Sequence, residues 1–207
     1  MLLLLLLSAG GCGKAPDGAG RASASGTSAV STRPVSAPAS SIPPPSPLLG
    51  ERVARTQWAR SDDGKSGAPP HCAPLALASA GGTPATARAA DFSGGWGVAF
   101  DLPNLRSAYG FAGPGVLPQD AAPLAAQRAR LDRQWPYMRD LPKLPPSSFA
   151  GYGLSGAEAY PADNPQGHGL QSVAYVRVGG QQCTYNVWSR ISRTHLETLL
   201  DNLRLLR

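Results

Sequence analysis

His71, His168 and His195 come first among the residues that could do chemistry, because imidazole titrates near neutrality and binds metals. No two stand at the spacing of a zinc motif. His71 and Cys72, adjacent in the chain, cannot easily aim both side chains at one ion, so no metal or cofactor is expected. A hydrolase order can be traced from Ser155, in Gly153-Leu154-Ser155-Gly156-Ala157, through Asp163 to His168. A nucleophile elbow, however, needs a strand before the serine, a helix after it and a glycine two residues on, where Ala157 stands. A Pro/Gly-rich loop would also hold the base poorly against the nucleophile. Asp91, Asp101, Glu158 and Asp163 could pair for sugar hydrolysis, but nothing in the sequence sets their separation. Asp101, beside a turn, is expected to cap backbone. Asp62-Asp63-Gly64 starts like a calcium loop but lacks the downstream carboxylates. Gly94-Gly95-Trp96-Gly97 precedes a strand and lacks the Lys-Ser/Thr ending of a phosphate loop. No catalytic residue is expected.

The elements that must position these residues are clearest at the end of the chain. Ser172–Val178 and Cys183–Trp188 are β-branched and aromatic runs separated by Gly179-Gly180-Gln181-Gln182, which predicts a hairpin. A two-residue turn would set Val176 opposite Cys183 and Ala174 opposite Tyr185. A four-residue loop would shift the partners, yet Ala174, Val176, Val178, Cys183, Tyr185 and Val187 share one face either way. Thr194-His195-Leu196-Glu197 reads as a capping box. Leu196, Leu199, Leu200, Leu203 and Leu206 then form one helical stripe, with Arg204 and Arg207 at the end where the dipole favours cations. His195 falls in the first turn, on the surface.

Upstream, Trp96–Leu102 and Ser107–Phe111 read as paired strands around Pro103-Asn104, and Ala73–Ser79 as a short first strand. Asp120 to Trp135 predicts a helix, with Asp120 as its cap and Pro123 in its first turn. Residues 141–169, dense in Pro, Gly and Ser, predict a long ordered loop. The expected fold is α+β: an antiparallel sheet of four to five strands covered by a C-terminal amphipathic helix.

Composition divides the chain. Of its 207 residues 24 are Gly and 21 Pro, while charged residues are 15 %. Pro, Ser, Ala and Gly dominate residues 13–50, which contain no aromatic and so cannot bury enough apolar area to offset the entropy of ordering. The expected domains are a signal segment over 1–12, a disordered linker over 13–70 and one α+β domain over 71–207. Leu48–Arg60 has slight helical potential around Trp58 but is assigned to the linker. Treated as a coil of about 58 residues, the linker 13–70 spans roughly 40–45 Å. The net charge of +6 is spread along the chain without a basic block, so nucleic acid is excluded as a partner. The leucine run 2–7 is longer than any other unbroken apolar run in the chain, yet too short to span a bilayer.

That run opens Met1-Leu2 through Gly11-Cys12, a short apolar core followed by small residues. It resembles the export signal of bacterial lipoproteins, whose lipobox ends in a small residue before a cysteine. Gly11 and Cys12 match. Ala9 stands where the family usually has Leu, and no basic residue precedes Leu2. The resemblance implies lipid attachment at Cys12, anchoring in the membrane, and sorting to the outer membrane or the periplasmic face of the envelope. Plain secretion without lipid is the alternative. With Cys12 lipidated, Cys72 and Cys183 remain, and an even pair in an exported chain predicts a structural disulfide. In the chain-entropy model a bridge over so long a loop adds up to about 4–5 kcal/mol. The expected function is a non-catalytic binding or structural domain tethered to the membrane, its groove lined by aromatics such as Trp96, Tyr109, Trp135 and Tyr152. The partner left open is an envelope protein or a cell-wall component. The alternative is an envelope hydrolase with its site in the loop 151–169.

Overall fold

Alternation in the last two strands decides which way their side chains point. β7 (Ser172–Arg177) and β8 (Thr184–Ser189) pair antiparallel with Val176 opposite Tyr185 and Ala174 opposite Val187. This is a longer connection than a two-residue turn, closed by the Gln181 N–H donating to Val178 O. The six residues expected to share a face are all fully buried. The computed structural model describes residues 47–61, 72–82, 84–91, 95–113 and 121–207. The signal segment with Cys12, the linker up to 46, Asp62-Asp63-Gly64, His71, Gly94 and the expected Asp120 cap lie outside the described residues.

The sheet is larger than expected, with seven strands rather than four or five. β2 (Thr86–Ala89), β3 (Trp96–Leu102) and β4 (Leu105–Gly113) form one meander. β5 (Tyr137–Asp140), β6 (Phe149–Leu154), β7 and β8 form a second. The two join where β4 pairs β8, giving the order β2-β3-β4-β8-β7-β6-β5, antiparallel throughout. β6 lies in the stretch expected to be loop. Its sequence, Phe149-Ala150-Gly151-Tyr152-Gly153-Leu154, carries two glycines, which weaken a strand signal. Here they allow close approach: a Cβ on Gly151 would stand 3.0 Å from Leu131 Cβ and from Trp135 Cδ1. Helix α2 (Leu124–Gln134) therefore lies against β6 on the outer face.

On the other face lies the main core. Val98, Phe100, Phe111, Tyr185 and Val187 from the sheet meet Leu196, Leu199 and Leu200 of helix α3 (Arg193–Asn202). The helix is shorter than its leucine stripe. After Asn202 the chain straightens into β9 (Leu203–Leu205), which pairs with β1 (Leu75–Leu77) as a separate two-stranded sheet. β1 thus does not join the main sheet. All five stripe leucines are buried, because the extended turn still returns Leu203 and Leu206 to the core. The capping box is not formed. Ser192 is the N-cap, accepting from the His195 N–H at 3.0 Å, while Thr194 donates to Gln166 and Glu197 accepts from Tyr152. Arg204 does serve the helix end, donating to Asp201 O at 3.2 Å.

The linker boundary also moves. Glu51–Arg60 is helix α1, packed on β1, β2 and β3, and Leu49 bridges to Leu77. Gly50 makes the entry possible: its φ is 75°, and a Cβ there would meet Phe100 Cζ at 2.9 Å. Among the described residues, no helix is long and apolar enough to cross a membrane. Cys72 and Cys183 are disulfide-bonded across 111 positions. Three hydrogen bonds hold the same join: Ala73 N–H to Gln181 Oε1, Tyr185 O–H to Ala73 O, and Trp96 Nε1–H to Cys72 O.

Candidate functional site

A pocket lies at the C-terminal end of α2, where Gln134 and Trp135 meet the end of β6 and the start of the segment after it. Trp135 caps α2 and lies over Gly151 and Gly153. Its ring meets that of Tyr175, from the neighbouring strand β7, with centroids 5.4 Å apart. The cavity beside them is about 330 Å³, walled on its far side by Leu154, Ser155, Gly156 and Glu158. A tight turn positions that wall: Gly156 has a φ of 75°, Ala157 N–H donates to Leu154 O, and Ser155 N–H donates to Gln171 O. The volume sits near the lower end of small-molecule sites, which run from about 300 to 1,000 Å³. Its polar ends are unspent. The Gln134 amide, Ser155 hydroxyl, Glu158 carboxylate and Tyr175 hydroxyl make no side-chain hydrogen bond to any described residue.

A second aromatic cluster, at the start of α3, contrasts with it. Arg193 lies over the rings of Tyr137 and Tyr160, 4.9 and 5.2 Å from their centroids. It also donates to the Tyr137 hydroxyl at 2.8 Å and approaches Glu197 at 3.7 Å. Tyr152 donates to Glu197 at 2.9 Å, and Tyr160 to Ser172 at 3.2 Å. Burial, with the Glu197 carboxylate beside it, pushes the Tyr152 phenol well above the usual tyrosine range. Burial raises Tyr160 too, opposed by its bond to Ser172. The three hydroxyls and the Glu197 carboxylate are hydrogen-bonded here, and the cluster clamps the segment 155–171 to the helix, aided by the Arg193 backbone N–H donating to Gln166 O.

His195 is not the surface residue its position suggested. Its Nε2 lies 3.1 Å from Ala80 O and its Nδ1 2.9 Å from Ser189 Oγ. A carbonyl can only accept, so Nε2 carries the proton and Ser189 donates to Nδ1. Burial holds the imidazole below its ordinary range, opposed by the Ala80 bond. A serine bonded to a histidine is the beginning of a nucleophile, but Ser189 is fully buried, so no carbonyl substrate reaches its Oγ. The pair clips α3 to the segment around Ala80. His195 does border a cavity of about 260 Å³ with Tyr109, Leu102 and Ile191, which adjoins another floored by Phe100 and Tyr109.

The expected site residues are thus dispersed. Trp96 and Tyr152 are in the core, and Tyr109 and Trp135 border different cavities. Ser155, Asp163 and His168 share no hydrogen bond. Asp163 and His168 are exposed, and Asn164 holds the backbone of His168 rather than its ring. Asp101 pairs with Arg88 at 2.8 Å and accepts from Ser107 N–H, which together hold its carboxyl below the usual range. Among the described residues, no three His, Cys, Asp or Glu side chains are grouped to hold a metal ion. Tyr175 was read from sequence only as a strand residue, because an outward-facing tyrosine on a strand carries no mark that a helix end will stop beside it. No family model, curated protein or solved structure matches this chain.

Proposed function

We propose that the chain is a cell-envelope lipoprotein, anchored through acyl chains on Cys12, whose folded domain binds a partner rather than transforming it. The Cys72–Cys183 bond carries the reading, because such bridges form and persist in oxidising compartments. The Ala9-Gly10-Gly11-Cys12 sequence supplies the attachment point, and two or more acyl chains hold a protein stably at a bilayer. The pocket of Trp135 and Tyr175 supports binding, since its polar side chains make no hydrogen bond to any described residue. A partner in the envelope, protein or cell wall, is the class this reading requires.

Intact-mass measurement on the membrane fraction tests it, comparing the native chain with Cys12→Ala. The native protein is expected to begin at Cys12 with the added mass of its acyl chains, and the variant to lose both the increment and the membrane association. A full-length product in the cytosol, with three titrating thiols, would reject the proposal.

A further inference from the structure

The pocket between α2 and β7 combines features that together narrow its ligand. Two aromatic rings, Trp135 and Tyr175, meet at the cavity, and four hydrogen-bonding groups that make no side-chain hydrogen bond to any described residue line it with them. A purely aliphatic ligand would bury those polar groups unpaired, which opposes binding. An anionic ligand would face Glu158 with no cation among the residues lining the cavity. A ligand with an apolar face and a rim of hydroxyls meets both halves. Its ring C–H groups lie on the indole and phenol, while its hydroxyls donate to the Glu158 carboxylate and exchange donors and acceptors with Gln134, Ser155 and Tyr175.

We propose that this pocket binds a neutral saccharide, a hexose or N-acetylhexosamine unit of a glycan, stacked on Trp135 and Tyr175 and hydrogen-bonded by Gln134, Ser155 and Glu158. The inference rests on the binding reading above and specifies its ligand. The groups are held as a recognition site requires. Trp135 is seated on the backbone of Gly151 and Gly153, and Ser155 is fixed by its backbone bond to Gln171. The lining residues Gln134, Ser155 and Glu158 are exposed, so the cavity is open to solvent.

Isothermal titration calorimetry on the oxidised full chain carrying Cys12→Ala tests this with three probes: N-acetylglucosamine oligomers, glucose oligomers and galacturonate oligomers. At least one neutral series is expected to bind and the anionic one not to. Trp135→Ala should weaken binding by about tenfold or more. Because that change also removes packing, Glu158→Ala, at an exposed position, provides the second measure: severalfold weaker binding with an unchanged Tm. Preference for the galacturonate series, or neutral binding indifferent to both variants, overturns the assignment. Sedimentation with isolated envelope material separates the two levels of failure. Retention that depends on Trp135 without any saccharide binding rejects the sugar and keeps a binding domain. No retention by any form rejects both.

Discussion

Two aromatic clusters of similar composition sit on opposite faces of one sheet, and they differ in whether their polar ends are used. Around Arg193, the hydroxyls of Tyr137, Tyr152 and Tyr160 each have a named partner, and the guanidinium covers two rings. Around Trp135, the hydroxyl of Tyr175 and the three polar groups beside it have none among the described residues. Groups taken out of water and paired within the protein stabilise the fold, whereas groups left unpaired at an opening remain available to a ligand. Composition alone would rank the clusters equally. Hydrogen-bond pairing separates a clamp from a site.

The contrast can be broken by substitutions on each side. The largest effect should come from Arg193→Ala, which removes two ring contacts and a hydrogen bond from a side chain only 18 % exposed. About 2 kcal/mol of unfolding free energy should be lost in urea titration. Tyr152→Phe deletes one bond to Glu197 and should cost about 1 kcal/mol by the same measurement. Acid should act more mildly, through His195. Its folded imidazole resists protonation, whereas the unfolded one takes a proton near pH 6.5. Stability is therefore complete above that value and falls as pH drops through it toward the lower folded pKa. His195→Gln should flatten that part of a Tm-against-pH curve, and an unchanged slope would remove His195 as its cause. Smallest is Tyr175→Phe, expected within about 0.5 kcal/mol of wild type in stability. A loss matching that of Tyr152→Phe would mean the two clusters are alike after all.

Strand period survived nearly everything in this molecule. The face shared by Ala174, Val176, Cys183 and Tyr185 was legible although the turn length was not, because alternation is a local property and register is not. The same locality misled at the end of the chain, where a leucine stripe read as one long helix. Leu203 and Leu206 are buried as that stripe requires, but β1 offers Leu203–Leu205 a pairing edge, and no local pattern announces a partner more than a hundred residues upstream. α1 reads as linker from sequence because its slight helical potential around Trp58 runs directly into Ser61-Asp62-Asp63-Gly64-Lys65-Ser66-Gly67. Its stability comes from docking on β3 rather than from propensity. β6 was hidden by the two glycines that fit it to α2.

Residue types and their periods determined that a hairpin, a C-terminal amphipathic segment and a pair of bonded cysteines would exist, since each follows from side-chain chemistry acting over a few neighbours or from parity. Tertiary structure decided how many strands join, where α3 stops, that His195 is clipped to Ser189, and that Trp135 and Tyr175 stand together beside polar groups with no side-chain partner among the described residues. Those outcomes depend on contacts between segments distant in sequence, whose energies exist only after the chain has closed on itself.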